Sequence, residues 1–356
     1  MHPPPTLTSW FRAAILAALL AASGAPAWGQ AEPVPLERAR SLERRVQAVI
    51  AHVRSAVVTI GVPGEPGADG GVVGLPRGVP IVSGGTGVVL SAARGLVLTC
   101  EHVTEGQDLV LVGLVDGRTF EGRVLGRDVV GDLALLQIPA ATLSAEVTLG
   151  DSRAVNVGDW VVALGNPFGL AKDDHQPAAT LGVVSGVHRY QDGSRIYGDA
   201  LQIDASVNPG SSGGPILDLS GRLIGLAGRI SIRGHQRHNV GVGFAIPAHQ
   251  IALVLEQLEA GQDVRRGYLG VTFTLQPDPR GGVLLQSVIP GSPAALGGLR
   301  PGDRIVKVDG RPVEHPVRLQ NAFSILPEGT QVPLEIVREG ATRTLRVTLG
   351  ARAEGR

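Results

Sequence analysis

The stretch DASVNPGSSGGPILDLSGRLIG, residues 204–225, contains four serines and five glycines before it returns to apolar residues. Glycine lacks a Cβ atom, so a bend rich in glycine lets another backbone approach closely and can direct successive N–H groups toward one point. A serine hydroxyl in such a bend becomes a nucleophile only when a base removes its proton and a third group orients that base. The stretch therefore directs the search to a histidine and a carboxylate elsewhere in the chain.

Two polar residues next to apolar runs are the candidates for these roles. His102 comes three residues after the run GLVLT in GLVLTCEHVTEG, where the end of a strand can hold an imidazole rigidly. Asp132 lies in GRDVVGDLALLQI, immediately before a second apolar run. A lone serine in a glycine-rich stretch is usually a turn residue. The order His, Asp, Ser along the chain instead favours a catalytic constellation.

The bend itself offers donors for a developing negative charge. Backbone N–H groups of Gly210 and Ser212, with Ser211 between them, are predicted to form an oxyanion hole. The spacing Gly210-x-Ser212-x-Gly214 also fits the nucleophile elbow of α/β-hydrolases. That elbow stands between a strand and a helix in proteins whose triad runs Ser, Asp, His. Here a strand and a turn are expected after the bend, so the elbow is the weaker interpretation.

Composition limits the class of protein. The chain has 356 residues, and Lys plus Arg and Asp plus Glu both total 32, so no net charge favours nucleic acid as a partner. Fifty glycines, 25 prolines and many short apolar runs indicate strands joined by tight turns. Because single cores usually stop growing near roughly 250–300 residues, two domains are expected.

The amino-terminal residues have the pattern of an export signal. Arg12 precedes the apolar run AAILAALLAA, and small residues follow at a candidate cleavage site near residues 25–29. The run is shorter than the roughly 20 residues that a membrane-spanning helix needs. We therefore expect an exported, periplasmic or otherwise extracytoplasmic protein, with a retained membrane anchor as the alternative. Cys100 is the only cysteine, so no internal disulfide can form.

Periodicity divides the rest of the chain into helical and strand segments. Residues 36–54 have apolar residues at helical intervals, whereas residues 55–245 consist of short apolar or alternating runs typical of an antiparallel barrel or sandwich. A helix is predicted from Ala248 to Gly261. Beyond Arg266 a second unit contains five candidate strands, GYLGVTF among them, and a helix near residues 317–324.

Several motifs, in order, resemble the HtrA/Deg serine proteases: TCEHV, GDLALL, VVALGNPFGL, NPGSSGGPILDLSGRLIG and VGFAIP. The resemblance covers about residues 45–350 and implies a mainly β protein with a chymotrypsin-like double β-barrel. It makes Ser212, which directly precedes Gly-Gly, the nucleophile and His102 the general base and acid. Asp132 would fix the imidazole tautomer, and Asp128 would be structural.

The chain departs from the family pattern at three positions. Family members commonly have Asn or Ala where Cys100 and Glu101 precede the histidine, and Asn where Ser211 precedes the nucleophile. We expect Glu101 to be solvated and Cys100 to be a small packed side chain. Ser211 is a competing nucleophile in principle.

The second unit resembles a bacterial PDZ domain. Tyr268, Leu269, Gly270 and Val271 match the loop that holds a peptide carboxylate, and SPAALGGLRPGD follows it at the expected place. The resemblance implies that a C-terminal peptide adds to a strand edge. The helix around residues 317–326 would form the other wall of the groove.

The expected function is that of an ATP-independent serine endopeptidase that degrades misfolded or unfolded exported proteins. No phosphate-binding G-x-x-x-x-G-K-[ST] motif is present, and no cofactor or metal is expected. His235 and His238 are attributed to a surface loop. The resemblance also implies a homotrimer or larger oligomer, switching loops at residues 165–175 and 228–240, and a pocket near Asn208 for small or medium apolar P1 residues.

Two alternatives remain at this point. The barrel could be mainly a scaffold, in which case the protein is a non-proteolytic chaperone or a peptide-binding stress sensor. It could also be a site-specific sensor protease that keeps its membrane anchor. The expected domain limits are a signal peptide at 1–29, a helical segment at 30–54, a protease domain at 55–261, a linker at 262–266, a PDZ domain at 267–350 and a tail at 351–356.

Overall fold

The structure is a computed structural model that describes residues 36–63, 81–140, 143–172, 175–191, 195–230, 240–276 and 278–351. The predicted signal peptide at 1–29, His235 and His238 lie outside the described residues. Among the helices that are described, none is long and apolar enough to cross a membrane.

The first element is the predicted amphipathic helix, α1, Leu36–Val53. Val49 and Val53 are buried, and Val46 and Ile50 pack beside them against the adjoining core. Burial of this apolar stripe stabilises the helix more than its intrinsic propensity does. A short 3₁₀ turn, Arg54–Ala56, leads into the first strand.

Six antiparallel strands form the first closed barrel, in the order β1-β2-β3-β6-β5-β4. Its core contains Ile60, Leu98 and Leu135, each without exposed surface. Closure removes the unpaired edges that an open antiparallel sheet would expose. The strands are β1 Val57–Pro63, β2 Ile81–Ser91, β3 Leu96–Thr99, β4 Leu109–Gly113, β5 Thr119–Asp128 and β6 Leu133–Gln137.

A second closed barrel follows, in the order β10-β11-β12-β9-β8-β7. Val161, Ile203 and Ile216 are fully buried in its core. The two barrels confirm the double β-barrel that the family resemblance implied. The strands are β7 Trp160–Gly165, β8 Ala178–Gln191, β9 Tyr197–Ile203, β10 Pro215–Leu217, β11 Leu223–Ile230 and β12 Gly243–Pro247.

Helix α2, Ala248–Glu259, follows β12 and contacts β5 of the first barrel and β11 of the second. Ile251, Val254 and Leu258 are fully buried on its inner face. Gly261, with φ +72, ends the helical region as the sequence predicted. This helix therefore ties the two barrels together.

The PDZ unit is an antiparallel sheet, β14-β15-β16-β18-β19, with helices at its margin. GYLGVTF was expected to be one strand, and that expectation is wrong. Gly270 adopts φ +85 and separates two short strands, of which the first pairs with β20. The elements are β13 Gly267–Tyr268, β14 Val271–Phe273, β15 Val283–Val288, α3 Pro293–Leu296, β16 Arg304–Val308, β17 Arg311–Pro312, α4 Pro316–Ser324, β18 Gln331–Arg338, β19 Ala341–Thr348 and β20 Gly350–Ala351.

The described residues from Val46 onward form one compact unit, within which the PDZ elements contact the second barrel. Helix α4 packs against β8 and β9. The Asn321 side chain accepts a hydrogen bond from the backbone N–H of Asp199 at 3.1 Å and donates to the carbonyl oxygen of His188 at 3.1 Å. Arg266, at the start of the PDZ unit, forms a buried ion pair with Asp128 on β5.

Candidate active site

The register of β3 and β6 brings His102 and Asp132 together. Thr99, the last residue of β3, lies opposite Ala134 near the beginning of β6. Because the strands are antiparallel, residues just after β3 lie beside residues just before β6. His102 is in a 3₁₀ turn, Glu101–Val103, that follows β3, and Asp132 directly precedes β6.

His102 and Asp132 make a closely held pair. His102 Nδ1 lies 2.9 Å from Asp132 Oδ1 and 2.8 Å from Oδ2, and the backbone N–H of His102 donates to Oδ1 at 2.9 Å. The Tyr197 hydroxyl donates to Oδ2. Burial acts to raise the pKa of Asp132, but hydrogen bonds and charge from His102, followed by Tyr197, outweigh it and hold this pKa below its ordinary value. An ionised Asp132 keeps a proton on Nδ1 and leaves Nε2 free to act as a base.

Ser212 belongs to the second barrel and reaches the first barrel through its backbone. Its carbonyl oxygen accepts a hydrogen bond from Thr86 N–H on β2 at 2.8 Å. A Cβ atom on the next residue, Gly213, would lie 3.0 Å from the backbone nitrogen of Cys100 and 2.3 Å from Thr99 Oγ1. Only glycine fits this approach. This close approach places the bend that contains Ser212 against the segment that carries His102.

The Ser212 hydroxyl has a different partner in this structure. Ser212 Oγ donates to the carbonyl oxygen of Gly228 at 3.3 Å. Within the described residues no hydrogen bond joins it to His102. Catalytic hydrogen bonds are often made only in the substrate complex, so this rotamer does not remove Ser212 from consideration.

Three consecutive peptide groups of the bend are each held by a neighbour. Phe168 N–H donates to Pro209 O at 2.7 Å, the Thr86 hydroxyl donates to Gly210 O at 2.7 Å, and Gly214 N–H donates to Ser211 O at 2.9 Å. The described residues contain no cis peptide bonds. In a trans peptide the N–H points away from the carbonyl oxygen, so fixing each carbonyl also fixes the N–H of the next residue.

The N–H groups of Gly210 and Ser212 remain available. Neither donates a hydrogen bond within the described part of the chain, whereas the Ser211 N–H donates to Asn208 O at 2.8 Å. Three residues were predicted for the oxyanion hole. Gly210 and Ser212 each present an N–H donor, whereas Ser211 only connects these two residues along the backbone. Gly210 has φ +96 and no space for a Cβ atom, which would lie 2.3 Å from Asn166 O.

Glu101 is not solvated, so that expectation is wrong. Its residue exposure is 4%, and its carboxylate accepts hydrogen bonds from Arg195 Nη2 at 2.7 Å and Nε at 3.2 Å. Arg195 Nε also lies 3.2 Å from Asp132 Oδ1. A charged side chain next to a turn is usually solvated, but here a cation supplied from 94 residues away allows the carboxylate to be buried.

Cys100 is fully buried and donates to the carbonyl oxygen of Ala227 at 3.3 Å, which confirms a packed role. Its sulfur belongs with His102 and Asp132 to a set of ligand-type atoms within 4.8 Å of one another. Burial, followed by the charge of Asp132, raises the pKa of the Cys100 thiol well above its ordinary value. A metal ion would need the thiolate, so the donor set fits a metal poorly.

The predicted carboxylate-binding loop of the PDZ unit is also constrained. The carbonyl oxygens of Leu269 and Gly270 accept hydrogen bonds from Ala294 N–H at 2.8 Å and Ile289 N–H at 2.9 Å. The trans geometry then turns the Gly270 N–H away from Ala294. Tyr268 and Val271 end and begin the flanking strands, and β14 is an edge strand of its sheet. These features suit the addition of a peptide strand.

Three residues of the site were not found from the sequence. Tyr197 and Arg195 contact Asp132 from β9 and from the residues before it, and Thr86 orients the bend from β2. None lies within 40 residues of Asp132, and none has a local motif. Only the register of the two barrels reveals these contacts.

Two family models match the chain: a trypsin-like peptidase domain over residues 85–226 and a PDZ domain over residues 267–349. Among curated relatives, a probable periplasmic serine endoprotease DegP-like from Chlamydia trachomatis serovar D is 40% identical over 276 residues, 74% of this chain and 53% of the relative. The periplasmic serine endoprotease DegP of Salmonella typhimurium is 35% identical over 274 residues, 74% of this chain and 56% of the relative. The chain spans about half the length of these curated relatives.

A solved structure agrees over a larger share of its length. The HtrA-type protease AlgW with a tripeptide has a TM-score of 0.67 and 32% sequence identity, and the match covers 87% of this chain and 98% of that chain. Two closed barrels, a PDZ sheet and a histidine bound to a buried aspartate accompany this similarity. The chain therefore belongs to the HtrA family of serine proteases.

Proposed function

We propose that this protein is an ATP-independent serine endopeptidase that degrades misfolded or unfolded exported proteins. One observation carries the proposal. The first barrel presents His102 bound to an ionised Asp132, and the second barrel presents Ser212 in a bend whose Gly210 and Ser212 N–H groups are held outward and unpaired. A nucleophile, a base, an orienting carboxylate and donors for an oxyanion are the groups that acyl transfer needs.

In the proposed reaction the Ser212 hydroxyl rotates away from Gly228 O and passes its proton to His102 Nε2 as Oγ attacks the scissile carbonyl. Asp132 stabilises the resulting imidazolium without taking the proton. The carbonyl oxygen gains negative charge between the N–H groups of Gly210 and Ser212. His102 then gives its proton to the leaving amine, and water hydrolyses the acyl enzyme by the same steps. One donor of this kind typically lowers the barrier by about 2.7–4 kcal/mol.

The substrate assignment is part of the proposal. The loop of Tyr268, Leu269, Gly270 and Val271 would hold a peptide C-terminus while β14 pairs with the peptide. The structures of AlgW with a tripeptide and with a decapeptide support peptide binding. Small or medium apolar P1 residues would occupy the pocket near Asn208. The relatives named periplasmic endoproteases support a periplasmic location.

The organisation in the whole protein is proposed with the function. The protease domain would comprise residues 55–261, the linker 262–266 and the PDZ domain 267–350, after a signal peptide at 1–29 and a helical segment at 30–54. A homotrimer or larger assembly would follow the family pattern. Of the proposed switching loops, residues 165–175 are largely described, and most of residues 228–240 lie outside the described part.

Cleavage of an unfolded protein tests the proposal. β-Casein is incubated with the wild type and with Ser212→Ala, and products are followed by gel and mass spectrometry. Ser220→Ala changes an exposed serine of the same stretch and serves as the control. We expect wild type and Ser220→Ala to cleave and Ser212→Ala to be inactive.

Equal cleavage by Ser212→Ala and wild type would reject the serine mechanism. A wild type that binds β-casein and cleaves nothing would instead favour the chaperone or sensor alternative. The sequences at the cut sites, read in the same experiment, test the proposed P1 preference.

A further inference from the structure

Behind the His102–Asp132 pair lies an ion network that the proposed mechanism does not use. Arg195 is anchored by three carboxylates: Glu101 at 2.7 Å, Glu105 at 3.0 Å and Asp132 at 3.2 Å. The side chain of Arg195 is 17% exposed, that of Glu101 is 5% exposed and that of Asp132 is fully buried. Burying such charges costs free energy unless their partners are well placed, so the arrangement imposes a defined geometry.

The network touches both members of the pair. Arg195 Nε lies beside Asp132 Oδ1, the oxygen that also accepts the backbone N–H of His102. Glu101 directly precedes His102 in the 3₁₀ turn and is tied to Arg195 through one carboxylate oxygen. Arg195 therefore links the orienting carboxylate to the turn that carries the base.

We propose that Arg195 and Glu101 act together as a positioning pair for His102 and Asp132, which sets the pH range of the proposed protease. The proposal rests on the proposed function of this site. Neither residue touches the reacting atoms. Arg195 would hold the Asp132 oxygen that faces the base, and Glu101 would hold Arg195 and balance its charge.

The two charges act on the base in opposite directions. A guanidinium next to Asp132 offsets part of the negative charge that stabilises an imidazolium, whereas Glu101 adds negative charge next to it. Burial opposes the charge on Arg195, but hydrogen bonds to Glu101 and Glu105 outweigh it and raise the pKa of the guanidinium, so Arg195 stays charged at all relevant pH values.

Other charged or titratable groups face this network and are unchanged in the variants below. The guanidinium of Arg127 on β5 lies 3.8 Å from Glu101 Oε1 and is also 3.7 Å from the exposed Asp108. The remaining groups are Glu105 beside Arg195, Tyr197 against Asp132, Cys100 before the turn and Asp128 on β5.

The test measures kcat/KM for a fluorogenic casein as a function of pH. The decrease of kcat/KM toward low pH, the acid limb of the profile, reports protonation of the base. We expect Arg195→Gln to move this limb to higher pH and Glu101→Gln to move it to lower pH, each by at least about 0.5 pH unit, which is the shift that a unit charge roughly 5 Å away causes even at the dielectric constant of water. The double variant should return the limb to within about 0.3 unit of wild type. Arg195→Lys keeps the charge and should retain the wild-type limb with a lower kcat.

The matched control is Arg338→Gln, which removes a similarly buried arginine that pairs with Asp303 in the PDZ unit, 2.6 Å away. It should leave the acid limb in place, and circular dichroism should show that every variant is folded. Acid limbs of Arg195→Gln and Glu101→Gln that coincide with wild type, or that shift in the same direction, would overturn the proposal. Cleavage by Ser212→Ala would instead overturn the proposed function, so the two failures are distinguishable.

Discussion

Substitution of Thr86 by valine tests how the proposed oxyanion donors, the N–H groups of Gly210 and Ser212, are oriented. The Thr86 hydroxyl donates to Gly210 O at 2.7 Å and accepts from Asn166 N–H at 2.9 Å, and the residue has no exposed surface. Valine has nearly the same shape but no hydroxyl, so the peptide group between the Gly210 and Ser212 donors loses its clamp.

The magnitude follows from the two hydrogen bonds. Each contributes about 0.5–1.5 kcal/mol net, so their loss costs about 1–3 kcal/mol. If the same free energy is lost from the stabilisation of the transition state, kcat falls roughly 5- to 150-fold. KM should change little, because the donors act on charge that develops only during the reaction.

The assay is steady-state cleavage of a fluorogenic casein by wild type, Thr86→Val and Thr86→Ser, with urea unfolding of each. Thr86→Ser keeps the hydroxyl and should stay within about threefold of wild type in kcat. A folded Thr86→Val with the kcat of wild type would show that the Thr86 hydrogen bonds do not orient the donors.

Three further outcomes are expected. Gly270→Ala places a Cβ atom 2.3 Å from Ser292 Cβ at φ +85. Titration with a C-terminal peptide should therefore show binding weakened at least tenfold, or by roughly 1.4 kcal/mol, and wild-type affinity would contradict this. Arg266→Ala leaves the fully buried Asp128 without its guanidinium, and urea unfolding should show a loss of about 3–5 kcal/mol; a loss below about 1 kcal/mol would contradict the buried pairing. Burial acts to raise the pKa of Asp199, but hydrogen bonds from two histidines outweigh it and hold this pKa well below 3.8. The ionised form of Asp199 therefore stabilises the fold above pH 3.8, and this contribution is lost as pH falls through the folded-state pKa. The stability difference between wild type and Asp199→Asn should therefore be largest above pH 3.8 and shrink below it in acid unfolding, and a difference that grows below pH 3.8 would be inconsistent.

The architecture could be predicted because local patterns and motifs agree with it. The spacing of Val46, Ile50 and Val53 predicts α1, and short apolar runs with Gly or Asp between them predict an antiparallel barrel or sandwich. The family resemblance then selects the double barrel. His102 and Asp132 were found because each adjoins a strand end, and β-sheet register brings those ends together. At these positions the local sequence pattern and the tertiary contacts favour the same conformation.

Contacts between distant elements could not be predicted in the same way. Glu101 was expected to be solvated because its neighbours give no sign of Arg195, which follows 94 positions later. Tyr197 resembles an ordinary strand residue until β9 is placed beside Asp132. GYLGVTF has a strand composition, but Gly270 adopts φ +85 next to Ser292 and divides the run into two short strands, which strand propensity alone does not predict.

Covalent labelling tests whether His102 activates Ser212. The protein is treated with a biotin-linked fluorophosphonate, which reacts with activated serines, and the modified residue is identified by mass spectrometry of tryptic peptides. We expect one adduct, on Ser212, that is lost in His102→Ala. An adduct on Ser211, or labelling of Ser212 that persists in His102→Ala, would contradict the account.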